Sequence, residues 1–279
     1  MNQHYVPEFY LKNFSPNGKQ IFVYDKVVQK SFSNSISSIA SQQAFYDNRN
    51  NQSIENEIGA FESKAGIIFK ELIESLVSNQ FSRITQEQKN ILIQYIWLQM
   101  NRTLESRIHF ASMQSYLFSK LVDVPFELDV NGILAQPEVA DNHIDFLNSS
   151  KENPFALEML GDRNFIIVKN TTKADFLTSD EPVVRHVHWE INPRVYEIFL
   201  PITSRFGIWI VPKNIYKELD EADEILYPMA DEQNILFYNY HQVYRSTRQI
   251  FSLTGNFEYV RQIFQQAPNF GSMNKKRID

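Results

Sequence analysis

The spacing of apolar residues changes along this 279-residue chain, and this change constrains the fold more than any other feature. From about residue 53 to residue 125, apolar residues recur every three or four positions, as on the buried face of a helix. Over about 164–212, short runs rich in Ile, Val and Phe replace them, which is typical of strands. Helical spacing returns over about 231–266. We therefore predict a single α+β domain spanning 1–279, with central long helices and a small mixed or antiparallel β-sheet.

Two long helices form the predicted helical block. The first begins at Ser53 and has an apolar face made of Ile54, Ile58, Phe61, Ala65, Ile68, Leu72 and Leu76. The second runs from Gln86 to about Val122, and Thr85 and Gln88 have the spacing of a capping box at its start. Because the second helix is apolar on more than one side, we expect it to lie centrally in the fold.

Shorter elements are predicted on either side of these helices. Two strands are expected before them, at Gln20–Asp25 and Ser31–Ile36. Four more follow, at Asn164–Lys169, Phe176–Thr178, Ile198–Leu200 and Phe206–Val211. The remaining predicted helices are a short one near Ala140–Leu147 and two near the end, at Asp231–Phe251 and Asn256–Gln266.

Composition excludes several kinds of site. The absence of cysteine excludes disulfides, thiolate metal ligands and a cysteine nucleophile. The 8 glycines form neither of the usual phosphate-binding loop motifs. A net charge of −6 predicts no strong basic patch for nonspecific nucleic-acid binding. With no secretory signal and no long apolar run, we expect a cytoplasmic protein that does not enter a membrane.

The segment His4–Phe14, HYVPEFYLKNF, is too apolar for a free terminus. Its aromatic and aliphatic residues would each gain roughly 1.5–3 kcal/mol on burial, so we predict that the segment is docked on the core. Docking would hold His4 and Tyr5 beside polar groups of the second long helix. His4 is then either a proton-transfer residue or a structural histidine whose ring forms its hydrogen bonds within the core.

Polar side chains interrupt an apolar stripe of the second long helix. On a continuous helix, Gln99, Arg102, Ser106 and His109 would share one face. A buried guanidinium must be paired or hydrogen-bonded. Arg102 is therefore either an anion clamp or one half of a structural ion pair, for which Glu62 or Glu105 would serve. The Arg102–His109 spacing is also similar to the Arg-x6-His motif of HEPN-type ribonucleases.

Carboxylates follow in the strand block. Asp175 and Asp180 flank a strand-to-turn segment, where Asp180 is either a turn-stabilising residue or a general base. Farther along, His186, His188 and Glu190 alternate as they would on one face of a strand. They are the only candidate metal ligands, and the alternative for them is a polar edge-strand face. We predict no metal site with the remaining residues, and no cofactor follows from the sequence.

Several of these segments together resemble the bacterial domain-of-unknown-function family numbered 4238. The opening run is similar to that family's His-Tyr-Val-Pro-x-x-Tyr-Leu-x-x-Phe start. Further similar motifs are Gln99-x-x-Arg102-Thr103 and Asp175-Phe-Leu-Thr-Ser-Asp-x-Pro182. Leu104 departs from the family pattern, which has proline there. The resemblance selects His4, Tyr5, Glu62, Gln99, Arg102, Asp175, Ser179 and Asp180.

Two functions follow as hypotheses. In the first, the protein is an enzyme that hydrolyses phosphoesters, and a nuclease is one form that this hypothesis includes. Its catalytic residues would be His4, Arg102, Asp180 and Asp175, and its binding residues Tyr5, Glu62, Gln99 and Ser179. In the second, the same polar residues are structural and the protein is a non-catalytic protein- or ligand-binding module. The sequence leaves open whether the partner is a small molecule or a nucleic acid, and what the oligomeric state is.

Overall fold

The computed structural model describes residues 2–48, 50, 53–121, 137–150, 154–188, 190–192, 195–267 and 270. The helices are α1 (Glu8–Leu11), α2 (Glu55–Val77), α3 (Gln86–Asn101), α4 (Leu104–Leu121), α5 (Pro137–Ser150), α6 (Pro154–Leu160), α7 (Lys217–Glu221), α8 (Glu232–Arg245) and α9 (Glu258–Gln266). The strands are β1 (Asn2–His4), β2 (Gln20–Asp25), β3 (Lys30–Ser35), β4 (Ser41–Gln43), β5 (Asn164–Asn170), β6 (Thr178–Ser179), β7 (Val184–Val187), β8 (Tyr196–Pro201), β9 (Phe206–Val211), β10 (Leu226–Met229) and β11 (Gln249–Ser252). This arrangement confirms the predicted α+β class.

The described strands form three sheets. The largest has the order β10-β5-β9-β8-β7, in which only β10 and β5 are parallel. The second is antiparallel, with the order β3-β2-β11-β6. The third is the antiparallel pair β1-β4, in which His4 lies opposite Ser41. Strands from distant parts of the sequence are therefore neighbours in the second and third sheets.

The largest apolar cluster joins the N-terminal segment to the long helices and to the five-stranded sheet. Phe69 on α2 and Tyr95 on α3 pack with ring centroids 4.9 Å apart, and Phe9 contacts both rings. β5 is buried along nearly its whole length, which explains its almost continuous apolar run. None of the described helices has the length and hydrophobicity needed to cross a bilayer.

The prediction of one continuous helix from Gln86 to about Val122 is wrong. The chain leaves the helix at Arg102 and Thr103, and α4 begins at Leu104. The Thr103 hydroxyl accepts a hydrogen bond from the Ser106 main-chain N–H (3.2 Å), so Thr103 acts as an N-cap and opens a new helix. The predicted capping box of Thr85 and Gln88 is confirmed at the start of α3. Val122 lies outside the described residues.

The predicted helix Asp231–Phe251 is also too long. α8 ends at Arg245, and Gln249–Ser252 is a strand that pairs with β2 on one side and β6 on the other. Main-chain hydrogen bonds to two distant strands favour the strand conformation here, although the local spacing of apolar residues is that of a helix. The short helix expected near 140–147 is present as α5, and β9 has the predicted bounds.

Candidate functional site

The N-terminal segment is docked, as the sequence predicts. Val6, Tyr10, Leu11 and Phe14 have no exposed surface. The Tyr10 hydroxyl donates a hydrogen bond to the Pro201 carbonyl oxygen at 2.6 Å, which ties the segment to the end of β8. The docked segment is thus part of the core.

Arg102 holds this segment through its main chain. Its Nη2 donates to the His4 carbonyl oxygen (2.7 Å) and its Nε to the Tyr5 carbonyl oxygen (3.1 Å). Gln99 Nε2 donates to the same Tyr5 oxygen at 2.9 Å. The third nitrogen, Nη1, forms an ion pair with Glu62 on α2. Each guanidinium nitrogen therefore has a protein partner.

The charge on Arg102 is compensated. Burial, the largest single effect, lowers its pKa, but the charge of Glu62, the neighbouring Tyr46 and Tyr95 and the hydrogen bond to Glu62 together raise the pKa above the ordinary value for arginine. A permanently charged, fully bonded guanidinium stabilises the docked segment. These contacts favour the structural ion pair that the sequence analysis left open, with Glu62 as the partner.

The His4 ring has polar partners other than Arg102. Its Nε2 lies 3.3 Å from the Ile36 carbonyl oxygen and 3.9 Å from Glu8 Oε1. The ring lines a shallow groove of about 530 Å³ together with Glu55 and Glu62. Within the described part of the chain, no hydrogen bond joins the His4 ring to Arg102 or to Asp180. A catalytic role for His4 remains a prediction.

Asp180 is fully engaged by main-chain groups. Its carboxylate accepts hydrogen bonds from the N–H groups of Thr247 (2.9 Å), Arg248 (2.8 Å) and Gln249 (2.9 Å). Burial raises the pKa of Asp180, and these three bonds oppose the rise. Asp180 fastens the turn after β6 to the chain that enters β11, the structural alternative of the sequence analysis.

Asp175 and Ser179 are also held by neighbouring side chains. Asp175 pairs with Arg205 at 3.0 Å. The Ser179 hydroxyl donates to Gln242 Oε1 (2.6 Å) and accepts from the Glu181 N–H (3.2 Å). Of the predicted site residues, the structure thus brings His4, Tyr5, Glu62, Gln99 and Arg102 together around the docked segment and places Asp175, Ser179 and Asp180 in and before the turn that follows β6.

The candidate metal ligands contact one another and Glu197. His188 Nδ1 lies 3.2 Å from Glu190 Oε1, and His188 Nε2 lies 3.2 Å from Glu197 Oε2. The His186 and His188 rings are in contact, with centroids 4.9 Å apart. Among the described residues, no group of three or more His, Asp or Glu side chains is arranged to hold a metal ion.

A cavity of about 250 Å³, here called the Glu181 cavity, lies beside the break between α3 and α4. Its walls come from both helices, from the turn after β6, from β7 and from the end of α8. The polar residues that line it include Glu105, Ser106, His109, Glu181, Arg185 and Arg245. Residues far apart in the sequence thus form one polar cavity.

Glu181 is the least expected residue of this cavity. It is only 4% exposed, and burial raises the pKa of its carboxyl group to about 8, with smaller upward contributions from Glu105 and Asp180. Arg245 and a hydrogen bond with the Thr103 side chain act in the opposite direction. Glu181 Oε2 has no hydrogen-bond partner among the described residues. At neutral pH the group is therefore mainly a neutral carboxylic acid with one oxygen unbonded.

The surrounding sequence fixes the position of this carboxyl group. The Ser179 hydroxyl oxygen accepts a hydrogen bond from the Glu181 N–H, and Gln242 Nε2 on α8 donates to the Pro182 carbonyl oxygen at 2.7 Å. On the other side, the Thr103 side chain both caps α4 and contacts the Glu181 carboxyl group. The helix break thus supplies the hydroxyl group that orients Glu181.

Basic side chains accompany the carboxyl group. Arg245 Nε is buried without a hydrogen-bond partner in the described part of the chain, and it lies close enough to lower the pKa of Glu181. Arg185 and His109 also line the cavity and are both exposed. Guanidinium groups bind phosphate and carboxylate oxygens, while imidazole and a neutral carboxylic acid transfer protons. The cavity therefore combines anion binding with acid–base groups.

Sequence reasoning identified the segments of this cavity but not its main residues. Glu181 occupies the variable position of Thr-Ser-Asp-x-Pro, so the motif drew attention to its neighbours. His109 was singled out only by its spacing from Arg102, and the two side chains face different surroundings because the helix breaks between them. No local sequence pattern identifies Arg245, which lies at the end of α8 and forms part of the cavity wall.

Comparison with known proteins yields one match. A family model described as a protein of unknown function, DUF4238, matches residues 2–256. No curated protein and no solved structure shows significant similarity to the chain. The matched range includes the docked segment and the Glu181 cavity, and it confirms the resemblance found in the motifs. The chain therefore belongs to the DUF4238 family.

Proposed function

We propose that the protein hydrolyses phosphoester bonds in the Glu181 cavity. The observation that carries this proposal is a buried carboxyl group that has one unbonded oxygen and a pKa of about 8 and lines the same cavity as an imidazole and two guanidinium groups. Perturbed titratable groups in a concave site are typical of catalytic centres. His109, Glu181, Arg185 and Arg245 take the roles that the sequence hypothesis gave to histidine, aspartate and arginine.

The two arginines bind the substrate. Arg185 and Arg245 hold the non-bridging phosphoryl oxygens and stabilise the negative charge that builds up on them during the reaction. Arg245 gains the hydrogen-bond acceptor that its Nε lacks. The first turn of α4, which contributes Glu105 and Ser106 to the wall, presents the positive end of its helix dipole to the same space.

Glu181 and His109 transfer the protons. The His109 imidazole removes a proton from water as the water oxygen forms a bond to phosphorus. The bond from phosphorus to the leaving oxygen breaks, and the protonated Glu181 gives its proton to that oxygen. The products are an alcohol and a phosphate with one ester bond fewer. Proton exchange with solvent then restores neutral His109 and protonated Glu181.

Two probes test the reaction and its substrate class. Bis(4-nitrophenyl) phosphate reports hydrolysis of a small diester by the absorbance of nitrophenolate, and a fluorescein-labelled single-stranded RNA reports nuclease activity. The net charge of −6 and a cavity of only about 250 Å³ favour the small diester, because a long polyanion would be repelled. Preferential RNA cleavage would assign the site to a nuclease.

The variant Glu181→Gln tests the proposed acid. It keeps the size of the side chain but cannot donate the proton, and we expect kcat on a diester with an alkyl leaving group, such as the RNA probe, to fall by about 10²–10⁴-fold. With bis(4-nitrophenyl) phosphate the fall should be smaller, because nitrophenolate can leave without a proton. In the parent protein, kcat/KM should fall as the pH rises through about 8, because the acid must be protonated to act. The variant should lack this alkaline decline.

The control is Glu74→Gln, an exposed glutamate on α2 far from the cavity in sequence. It should leave both kcat and the pH profile unchanged. Full activity in Glu181→Gln would refute the proposal. So would a folded parent protein that hydrolyses neither probe, and the non-catalytic binding module would then be the better description.

A further inference from the structure

A second cavity, of about 440 Å³, lies against the five-stranded sheet and is here called the aromatic cavity. Its volume falls within the range of roughly 300–1,000 Å³ found for small-molecule sites. None of its described lining residues belongs to the Glu181 cavity. The aromatic side chains that line it are His186, His188, Trp209, Tyr216, Phe237 and Tyr238.

The charged residues of this cavity are acidic. Glu190, Glu197 and Glu218 line it, and its described lining includes no lysine or arginine. Burial lowers the pKa of His186, so that ring is neutral at neutral pH. Because these three carboxyl groups outnumber the one other histidine, His188, the described lining carries more acidic than basic groups.

The central carboxylate is held rigidly. The Tyr238 hydroxyl donates to Glu197 Oε1 at 2.8 Å, and His188 Nε2 lies 3.2 Å from Glu197 Oε2. The Tyr238 ring is stacked on Phe199 of the sheet, with centroids 3.9 Å apart. Because neighbouring groups already fix Glu197, a ligand would not have to order it on binding.

One donor in the cavity lacks a partner. Trp209 Nε1 is buried and has no hydrogen-bond acceptor among the described residues. A buried N–H group without a partner is costly, and a bound ligand or an ordered water is a common explanation for one. A ligand with a hydroxyl or other oxygen acceptor would satisfy it.

We propose that the aromatic cavity binds a small organic ammonium ion. Aromatic faces attract cations through their negative π-electron density, and a neighbouring carboxylate adds direct charge attraction. Both kinds of group surround this cavity, while cationic side chains are missing from its described lining. The described residues offer no metal-ligand set, which favours an organic cation over a metal ion.

The proposal is tested on the intact protein with a matched pair of ligands. Choline carries a quaternary ammonium group and a hydroxyl, and 3,3-dimethyl-1-butanol has the same shape without the charge. Isothermal titration calorimetry should show saturable choline binding and at least tenfold weaker binding of the neutral alcohol. n-Butylammonium serves as a primary ammonium probe in parallel. Added salt should weaken binding of both cations.

Two variants locate the binding site. Phe237→Leu removes a ring at the cavity wall, and Glu197→Gln removes the central charge while keeping the side-chain shape. Each should weaken choline binding at least fivefold. Phe32→Leu on β3, which also removes a partly exposed ring but lies in another sheet, should leave binding unchanged.

Three results would overturn the proposal: equal binding of choline and the neutral alcohol, no saturable binding of either cation, or full binding in a folded Phe237→Leu variant. If Glu197→Gln does not fold, the ligand pair and Phe237→Leu still decide the question. None of these results affects the proposed hydrolysis in the Glu181 cavity.

Discussion

Arg102 and Glu181 are both buried beside the same break between α3 and α4, yet their surroundings differ. Each nitrogen of the Arg102 guanidinium has a protein partner, either Glu62 or a main-chain carbonyl of the docked segment. Glu181 has one oxygen without a partner among the described residues, and it lines a cavity. Thr103, next to Arg102 in the chain, forms a side-chain hydrogen bond with the Glu181 carboxyl group.

This difference distinguishes a structural residue, Arg102, from a candidate functional residue, Glu181. A buried guanidinium such as that of Arg102, whose three nitrogens all have protein partners, contributes to folding, and it has no free nitrogen left to bind a substrate. A buried polar group with open bonding capacity lowers stability, and it is retained where a ligand or a reaction uses it. The two groups should therefore respond in opposite ways to substitution.

The largest expected effect is on stability, from Arg102→Met. The substitution leaves Glu62 without its ion-pair partner and removes one of the two donors to each of the His4 and Tyr5 carbonyl oxygens. Breaking a buried ion pair costs about 3–5 kcal/mol. Urea denaturation measures the loss. Arg83→Met is the control, because the Arg83–Glu224 pair is largely exposed on the arginine side and should contribute about 1 kcal/mol or less. If Arg102→Met and Arg83→Met lower the free energy of unfolding equally, the fully bonded Arg102 does not stabilise the fold in the way proposed here.

The next effect is a pH dependence that originates at Glu181. Its folded pKa of about 8 exceeds the ordinary value of 4.5, so between these values the folded protein keeps a proton that the unfolded chain releases. Stability should therefore fall as the pH rises, by about 1.4 kcal/mol per pH unit, or roughly 3 kcal/mol between pH 4.5 and 7. Glu181→Gln lacks this contribution. Urea titrations of the parent and the variant across this range should diverge, with the variant relatively more stable at pH 7; parallel curves would contradict the assignment.

Asp180 should behave as part of the scaffold. Asp180→Asn removes the charge that accepts three main-chain N–H bonds, and we expect a loss of about 1–3 kcal/mol in the free energy of unfolding. Asp175→Asn, which affects a more exposed pair with Arg205, should cost about 1 kcal/mol or less. An Asp180→Asn variant that is fully stable but inactive would instead restore the original catalytic hypothesis for Asp180.

The smallest effect tests the docked segment. The Tyr46 hydroxyl donates to the His4 carbonyl oxygen at 3.2 Å, the same oxygen that Arg102 binds. Tyr46→Phe removes one of these two bonds and should cost about 0.5–1.5 kcal/mol, measured by thermal unfolding. A double variant with Arg102→Met would reveal coupling between the two donors; strictly additive losses would show that they act independently.

The sequence predicts much of the fold because period and capping are local properties. The apolar face of α2, the capping box at Thr85 and the strand β9 all follow from residues near one another in the chain. The break at Thr103 and the strand β11 do not follow, because distant main-chain and side-chain partners favour them over a continuous helix. Apolar residues keep a helical spacing on both sides of Thr103, so the sequence pattern does not reveal the break.

The candidate site was predictable only in part. The motifs identified the docked segment, Arg102 and the turn after β6, and the structure brings each to a defined position. Which of their residues faces a cavity depends on α8, more than fifty residues farther along the chain, which places Gln242 against Pro182 and Arg245 near Glu181. A sequence pattern cannot distinguish a carboxylate bonded to three N–H groups from its neighbour with an oxygen left unbonded.

The most direct test of this account is a titration of the Glu181 carboxyl group itself. In protein labelled with ¹³C at the glutamate side-chain carboxyl carbon, the Glu181 resonance is assigned as the one missing from Glu181→Gln. We predict a titration midpoint of about 8, well above that of the exposed glutamates. A midpoint near 4.5 would show an ordinary, ionised carboxylate and would contradict the claim that this cavity holds a poised acid.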